Sequence, residues 1–177
     1  MTGETTEPIP STFAILSENF AGLPITKINM AVWDKAEKVT LRDYGLSDSA
    51  FNSIRDPRTG ERRNTSRNKS VAIEATSLDS YVAASGIRPD FVKIDAESAE
   101  FEVIMGMDRI LKEIKPVVRI ELGDVGVEGA TKSRTIVNKL ISYDYWPYEW
   151  REKSFREHVP ASDYPYSNLL FLSPQLL

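Results

Sequence analysis

The sequence predicts a single α/β domain built on a parallel strand–helix–strand unit, and three observations predict it. An apolar run of Phe91, Val92 and Ile94 stops at Asp95. An amphipathic stripe follows, in which Val103, Ile104, Met107, Ile110, Leu111 and Ile114 recur at spacings of three and four. A second run of Val117, Val118 and Ile120 then stops at Glu121. Pro116 ends the helical stripe, because the residue before a proline disfavours the helical region. A strand–helix–strand connection within one sheet makes the two strands parallel and the crossover right-handed. Both strands therefore deliver a carboxylate to one rim, outside the carboxyl ends of the strands, where ligands of open α/β sheets sit.

The composition agrees with one core. A chain of 177 residues with 41% hydrophobic content can bury a single domain spanning 1–177. A net charge of −4 argues against a general nucleic-acid binder. The absence of cysteine removes disulfides and thiol chemistry and fits a reducing compartment. No apolar run reaches the roughly 18 residues that span a bilayer, and Met1 to Glu7 has neither the basic nor the apolar segment of a signal peptide. The expectation is a soluble, cytoplasmic protein with no membrane partner.

In chain order, Met1 to Thr6 is polar and predicts a frayed tail. Ser11 is a candidate N-cap for a short helix whose apolar side is Phe13, Ile15, Leu16 and Phe20, stopped by Gly22 and Pro24. Residues 25–33 predict a strand, and Lys38 to Arg42 alternates as its hairpin partner would. Periodicity vanishes over 45–70, a locally basic stretch in whose 55–69 part Arg55, Arg58, Arg62, Arg63, Arg67 and Lys69 face only Asp56 and Glu61. The favoured reading is a flexible, solvated basic loop; the alternative is a flap over an anionic substrate. No aromatic residue interleaves with those arginines, which removes the stacking platform single-stranded nucleic acid needs. Val71 to Ala75 predicts a strand, and Thr76-Ser-Leu-Asp79 predicts a capping box before a helix that Gly86 ends. Beyond Glu121, Gly123, Gly126 and Gly129 make a glycine-rich rim loop, but not in the spacing of a dinucleotide fingerprint. A helix through Ile136, Val137, Leu140 and Ile141 and two closing strands, 145–150 and 167–172, complete the chain. His158 lies in a polar connection, which favours a surface position over a catalytic base. Two carboxylates on one rim could hold Mg²⁺, but such pairs are common without metal, and no metal is expected.

The stretch Asp-Phe-Val-Lys-Ile-Asp-Ala-Glu-Ser-Ala-Glu-Phe-Glu-Val-Ile-Met-Gly-Met, from Asp90 to Met107, resembles the signature of the FkbM-type S-adenosylmethionine-dependent methyltransferases. Pro-Val-Val-Arg-Ile-Glu-Leu resembles the strand that follows it there. Ser98 departs from the pattern, which usually has glycine at that place. The resemblance implies a Rossmann-like class I methyltransferase sheet, mostly parallel, with an antiparallel closing pair and strand order 3-2-1-4-5-7-6. Its N-terminal strands would be missing, because neither the first strand and its Asp-x-Gly-Ala-Asn-x-Gly loop nor a second strand is legible before Glu7. The domain would then be N-terminally truncated, with an edge free for homo-oligomer formation.

The same resemblance implies S-adenosylmethionine as cofactor and a small-molecule or glycan acceptor, methylated on a hydroxyl of a sugar or a secondary-metabolite-like compound. It casts Asp95 at the rim, facing cofactor and acceptor, with Glu97, Glu100 and Glu121 as further rim carboxylates. Lys93 alternates to the side of Asp95, so it either pairs with that carboxylate or points into the opposite layer. Glu97 and Glu100 have a plainer reading, acids in a first helical turn facing the positive dipole end, and it is the favoured one for Glu100. Glu7 would bind the ribose hydroxyls, or else is simply an acidic residue of the tail. Ala31 and Val32 would line the adenine pocket, or else are ordinary core. Without the glycine loop, whether the chain acts as an enzyme or as an incomplete, partner-binding module stays open at this stage.

Overall fold

The computed structural model describes residues 2–46, 69–123 and 129–176. The basic residues Arg55 to Arg67, and Gly126, lie outside the described residues. The described elements are strands β1 (Gly3–Thr6), β2 (Ile25–Ile28), β3 (Ala31–Val32), β4 (Glu37–Asp43), β5 (Lys69–Thr76), β6 (Phe91–Ile94), β7 (Val117–Leu122), β8 (Trp146–Arg151), β9 (Ser154–Glu157) and β10 (Ser167–Leu172). The helices are α1 (Pro10–Asn19), α2 (Leu78–Ser85), α3 (Glu100–Met105) and α4 (Ser133–Ile141), with a π-helical turn over Ile110–Ile114.

These strands form three sheets, ordered β1-β2, β3-β5-β4 and β6-β7-β10-β8-β9. The predicted unit is there: β6 pairs with β7 in parallel, Ile94 against Ile120. The closing pair is there too, with β10 antiparallel to both β7 and β8. Side chains alternate across a strand, and the inward set is Ile94, Val118, Ile120, Leu122, Leu169 and Phe171, all 3% exposed or less. They pack with Val103, Ile104, Ile110 and Leu111 from the central helical segment and with Ile136, Val137 and Leu140 of α4 in one core. A smaller core joins Ile9, Ala31, Val39, Leu41, Ile73 and Ala75.

Several expectations need correction. Gly3–Thr6 is not a frayed tail but a strand, parallel to β2 with Gly3 opposite Ile25. Its ladder is made by backbone groups, so a polar sequence does not exclude it. The strand expected over 25–33 is broken into β2 and β3, which belong to different sheets. Lys38–Arg42 is extended but is no hairpin partner of β3; β4 pairs antiparallel with β5 along its whole length, from Glu37–Ala75 to Asp43–Lys69. With the β8–β9 hairpin, four pairings are antiparallel (β4–β5, β7–β10, β8–β10, β8–β9) against three parallel ones (β1–β2, β3–β5, β6–β7), so the architecture is mixed rather than mostly parallel.

The single helix expected from Val103 to Ile114 is interrupted after Met105. The interruption has a local cause. Asp79, at the start of α2, accepts hydrogen bonds from the backbone N–H groups of Arg109 (2.8 Å) and Ile110 (3.0 Å). Its own N–H donates to the Gly106 carbonyl at 2.9 Å. Asp79 therefore caps the segment after the break, and the cap of α2 is Ser77, whose hydroxyl accepts from Ser80 N–H at 3.1 Å. The predicted Thr76–Asp79 box is not formed. For α1, the cap is Ile9 and the helix starts at Pro10, a residue suited to a first helical turn, so Ser11 is inside the helix.

Candidate functional site

Because β6 and β7 are parallel and in register, the chain leaves both at the same end, about 4.8 Å apart. Asp95 follows β6 directly and Glu121 is the penultimate residue of β7. Lys93, Asp95, Arg119 and Glu121 share the alternation opposite to Ile94, Ile120 and Leu122, so they stand on the sheet face that the core helices do not cover. Lys93 Nζ donates to Asp95 Oδ2 at 2.6 Å, which settles its orientation: it pairs with the aspartate. Arg119 Nη2 donates to Asn168 Oδ1 at 3.0 Å. Glu121 is half-buried, and its side chain forms no hydrogen bond or ion pair with the described residues. The rim thus carries one carboxylate already engaged by a cation and a second that is free to accept a proton or a hydroxyl.

The loop from Asp95 to α3 is unusual backbone. Glu97 has φ 45° and Ser98 has φ 79°, two successive residues in the left-handed region. The Ser98 conformation is one that glycine adopts without penalty, which gives a physical reason for the glycine usual at this place. Glu100 holds the loop in shape. Its Oε1 accepts from Ala96 N–H and from Ser98 N–H, each at 3.1 Å. Burial raises the Glu100 pKa above the ordinary carboxylate value, and the hydrogen bonds from its own, Ala96 and Ser98 N–H oppose that rise. Glu100 is therefore a pin for the loop, and only Glu97 of the two is exposed at the rim.

Glu7 is placed elsewhere, directly after β1. Its N–H donates to the Ile28 carbonyl at 3.1 Å, and its Oε1 accepts from Ile9 N–H at 2.8 Å. Burial is the main cause that raises its pKa, and the nearby Asp43 adds to it. Ala31 is buried in the smaller core, whereas Val32 packs against the larger one. Of the rim loop, Gly123 and Gly129 are described, and Gly129 has φ 75°.

His158, expected at the surface, is only 8% exposed. Its Nε2 lies 2.8 Å from the Tyr164 hydroxyl and its Nδ1 3.5 Å from Glu149 Oε2. The sequence signal for this was Tyr164, six residues on, which brings a hydroxyl into the fold beside the ring. Among the described residues no group of three or more His, Cys, Asp or Glu converges as a metal site. No helix among them is long and apolar enough to cross a membrane.

For S-adenosylmethionine, the fit is partial. Glu7 keeps Oε2 for a ribose hydroxyl, at the end of a strand. The methionine end carries a carboxylate and an amine, and no cradle of oriented N–H donors other than the one Glu100 already fills is present in the described residues.

The comparisons with known proteins agree on one lineage. Residues 3–147 match the methyltransferase FkbM domain model. The chain is 31% identical over 116 residues to the hexuronic acid methyltransferase AglP of Haloferax volcanii, a match covering 63% of this chain and 44% of that protein. Its fold is similar to the crystal structure of methyltransferase FkbM from Methylobacillus flagellatus KT, with a TM-score of 0.53 at 16% identity, covering 96% of this chain and 36% of that one. The chain thus spans less than half the length of the relatives it matches. With the family model covering most of its residues, this α/β chain belongs to the FkbM methyltransferase family.

Proposed function

We propose that this chain carries the acceptor side of an S-adenosylmethionine-dependent O-methyltransferase acting in the cytoplasm on a hydroxyl of a sugar. The observation that carries the reading is the pairing of Asp95 and Glu121 on one rim, with Lys93 bound to the first and the second unengaged. The sugar is suggested by the hexuronic acid methyltransferase to which the chain is similar.

The strand order supports a Rossmann-like reading. The run β6-β7-β10-β8 reproduces the 4-5-7-6 half of the family's sheet, and the parallel pair β1–β2 corresponds to its 2-3 half. The first strand of that order would fall between β1 and β6, whose outer edges are unpaired among the described residues.

When bound, S-adenosylmethionine supplies the methyl group; the residues of this chain position the acceptor and take its proton. Methyl transfer needs the hydroxyl oxygen in line, and a base within hydrogen-bond reach contributes on the order of 100-fold or more. Glu121 is the carboxylate free to be that base. Asp95, fixed by Lys93, orients the acceptor hydroxyl or the ribose of the cofactor. Glu97 stands at the same loop and can contribute a further hydroxyl contact. Glu7 would hold ribose hydroxyls.

A second reading, a non-catalytic module that acts by partner or self-association, is favoured by one observation: among the described residues β6 presents an unpaired edge beside the rim. The test is transfer of labelled methyl from S-adenosylmethionine to uronic acid and neutral sugar acceptors, comparing the wild type with Glu121→Gln and Asp95→Asn. Transfer lost in Glu121→Gln supports the enzyme. Transfer unaffected by either change rejects this assignment of the rim, and no transfer by a folded wild-type chain even at millimolar S-adenosylmethionine supports the module.

A further inference from the structure

A second concavity, which the rim chemistry does not use, lies at the end of the sheet opposite the rim, where the end of α4 meets the start of β8. A cavity of 630 Å³ has Trp146, Pro147, Pro160 and Pro174 in its lining, with Lys115, Asp144, Glu157 and Gln175 among its polar groups. That size lies within the range of small-ligand pockets. Trp146 is 47% exposed, although its neighbour Pro147 is buried. Trp146 faces Leu172 across the β8–β10 ladder, and Tyr148 faces Leu170, which in turn faces Arg119. Trp146 therefore stands on the same uncovered face as Arg119 and Glu121. From the register, it lies four residues along and two strands across from Glu121, a separation of roughly 16 Å.

The walls of this cavity are fixed before any ligand arrives. Three prolines have no side-chain freedom to lose. His158 N–H donates to the Pro147 carbonyl at 2.8 Å, and the Tyr145 hydroxyl donates to the Pro116 carbonyl at 2.9 Å. Lys115 Nζ donates to the Tyr143 carbonyl and stands 5.4 Å from the centre of the Tyr145 ring. What stays available is a flat indole face and acceptors at the mouth. The Glu157 side chain is exposed and has no hydrogen bond or ion pair with the described residues, and the Asp144 side chain, 4.0 Å from Lys115 Nζ through Oδ2, is 85% exposed.

We infer that this cavity is a subsite for an uncharged sugar ring of an oligosaccharide acceptor, stacked on Trp146 with its hydroxyls donating to Glu157 and Asp144. The chemistry of the lining selects this class. The two carboxylates disfavour an anion, and Lys115, nearly buried behind them, disfavours a cation. A ligand offering many O–H donors and one apolar C–H face satisfies both the acceptors and the indole. The inference rests on the proposed sugar methyl transfer, because it makes the acceptor a chain of sugars that reaches from the Glu121 rim across Tyr148 to Trp146. Contacts to a remote part of an acceptor are a way to position its reacting group.

The test is binding, measured without transfer. Titration of the purified chain with cellohexaose, maltohexaose, a galacturonate hexamer and a proline-rich decapeptide would be followed by the Trp146 indole N–H resonance and by calorimetry. A neutral hexaose should shift that resonance, with affinity about 10-fold weaker in Trp146→Ala and about threefold weaker in Glu157→Gln. Thermal melting should be unchanged in both variants, because both side chains are exposed. No binding of either neutral hexaose at millimolar concentration overturns the inference, as does binding that Trp146→Ala leaves intact. Binding of only the galacturonate hexamer or only the peptide at this indole also overturns it. Methyl transfer to a monosaccharide with no hexaose binding would sink the subsite and leave the proposed function standing; hexaose binding without any transfer would do the reverse.

Discussion

A Cβ atom on Gly106 would lie 2.1 Å from the carbonyl oxygen of Trp33. This close approach joins the end of α3 to the chain leaving β3, and so ties the rim-bearing unit to the smaller sheet. Trp33 is held there by its own N–H, which donates to the Thr76 carbonyl at 2.8 Å. Gly106→Ala should destabilise the protein by about 3 kcal/mol, at the upper end of overpacking costs, since the obstacle is backbone and not a flexible side chain. Chemical denaturation with an unchanged slope would measure it, and a loss below about 0.5 kcal/mol would show that the two units separate easily.

Ser98→Gly should act in the opposite direction. Ser98 has φ 79°, and a non-glycine residue in the left-handed region carries roughly 1 kcal/mol of strain. Removing it should raise the melting temperature by about 2–4 °C in a chain of this size. The main-chain hydrogen bond to Glu100 does not need the serine side chain, so it should persist. A lowered melting temperature would mean that the Ser98 side chain contributes more than its backbone costs.

Glu100 yields a pH dependence. Its folded pKa is raised above the ordinary 4.5, mainly by burial, so the folded state binds its proton more tightly than the unfolded one. Its contribution is fully present below the unfolded value and is lost as pH rises from about 4.5 through the folded pKa. Glu100→Gln keeps an acceptor for Ala96 N–H and Ser98 N–H but carries no charge. Its stability relative to the wild type should therefore increase between pH 4 and pH 7. Melting curves at the two pH values decide the matter, and an advantage that shrinks with rising pH would contradict the assignment.

Cofactor affinity should be low for this polypeptide as written. On the proposed reading Glu7 would meet a ribose, but the described residues offer no open set of backbone donors to the methionine carboxylate. Three or four hydrogen bonds worth roughly 0.5–1.5 kcal/mol each would be absent, which corresponds to a weakening of about 100-fold or more. Isothermal titration of the chain with S-adenosylmethionine should give weak or no heat. Micromolar binding would point to a site built elsewhere, and the Gly123–Gly129 loop would be the first place to examine by a Gly126→Ala substitution.

The sequence by itself determined the central unit, the carboxylates at its strand ends and the family. Those features are local: an apolar run of period two, a stripe of period 3.6 and a proline stop follow from which side chains must leave water. Asp95 was legible because it follows directly from where a buried run ends, whereas the run expected to stop at Glu121 continues to buried Leu122 and Glu121 stands on the opposite face of β7. The tertiary structure alone decided the rest. Gly3–Thr6 is a strand because β2 offers it a ladder, and nothing in its polar side chains announces that. β4 turned to β5 because strand pairing over a long connection depends on which edge is open, not on sequence proximity. Asp79 caps a segment 30 residues away, and Glu100 pins a loop whose backbone conformation no periodicity encodes. His158 is buried because Tyr164, Glu149 and the Pro147 carbonyl meet it from separate parts of the fold. Each of these depends on hydrogen bonds between groups brought together only by the fold, and hydrophobic patterning carries no record of such partners.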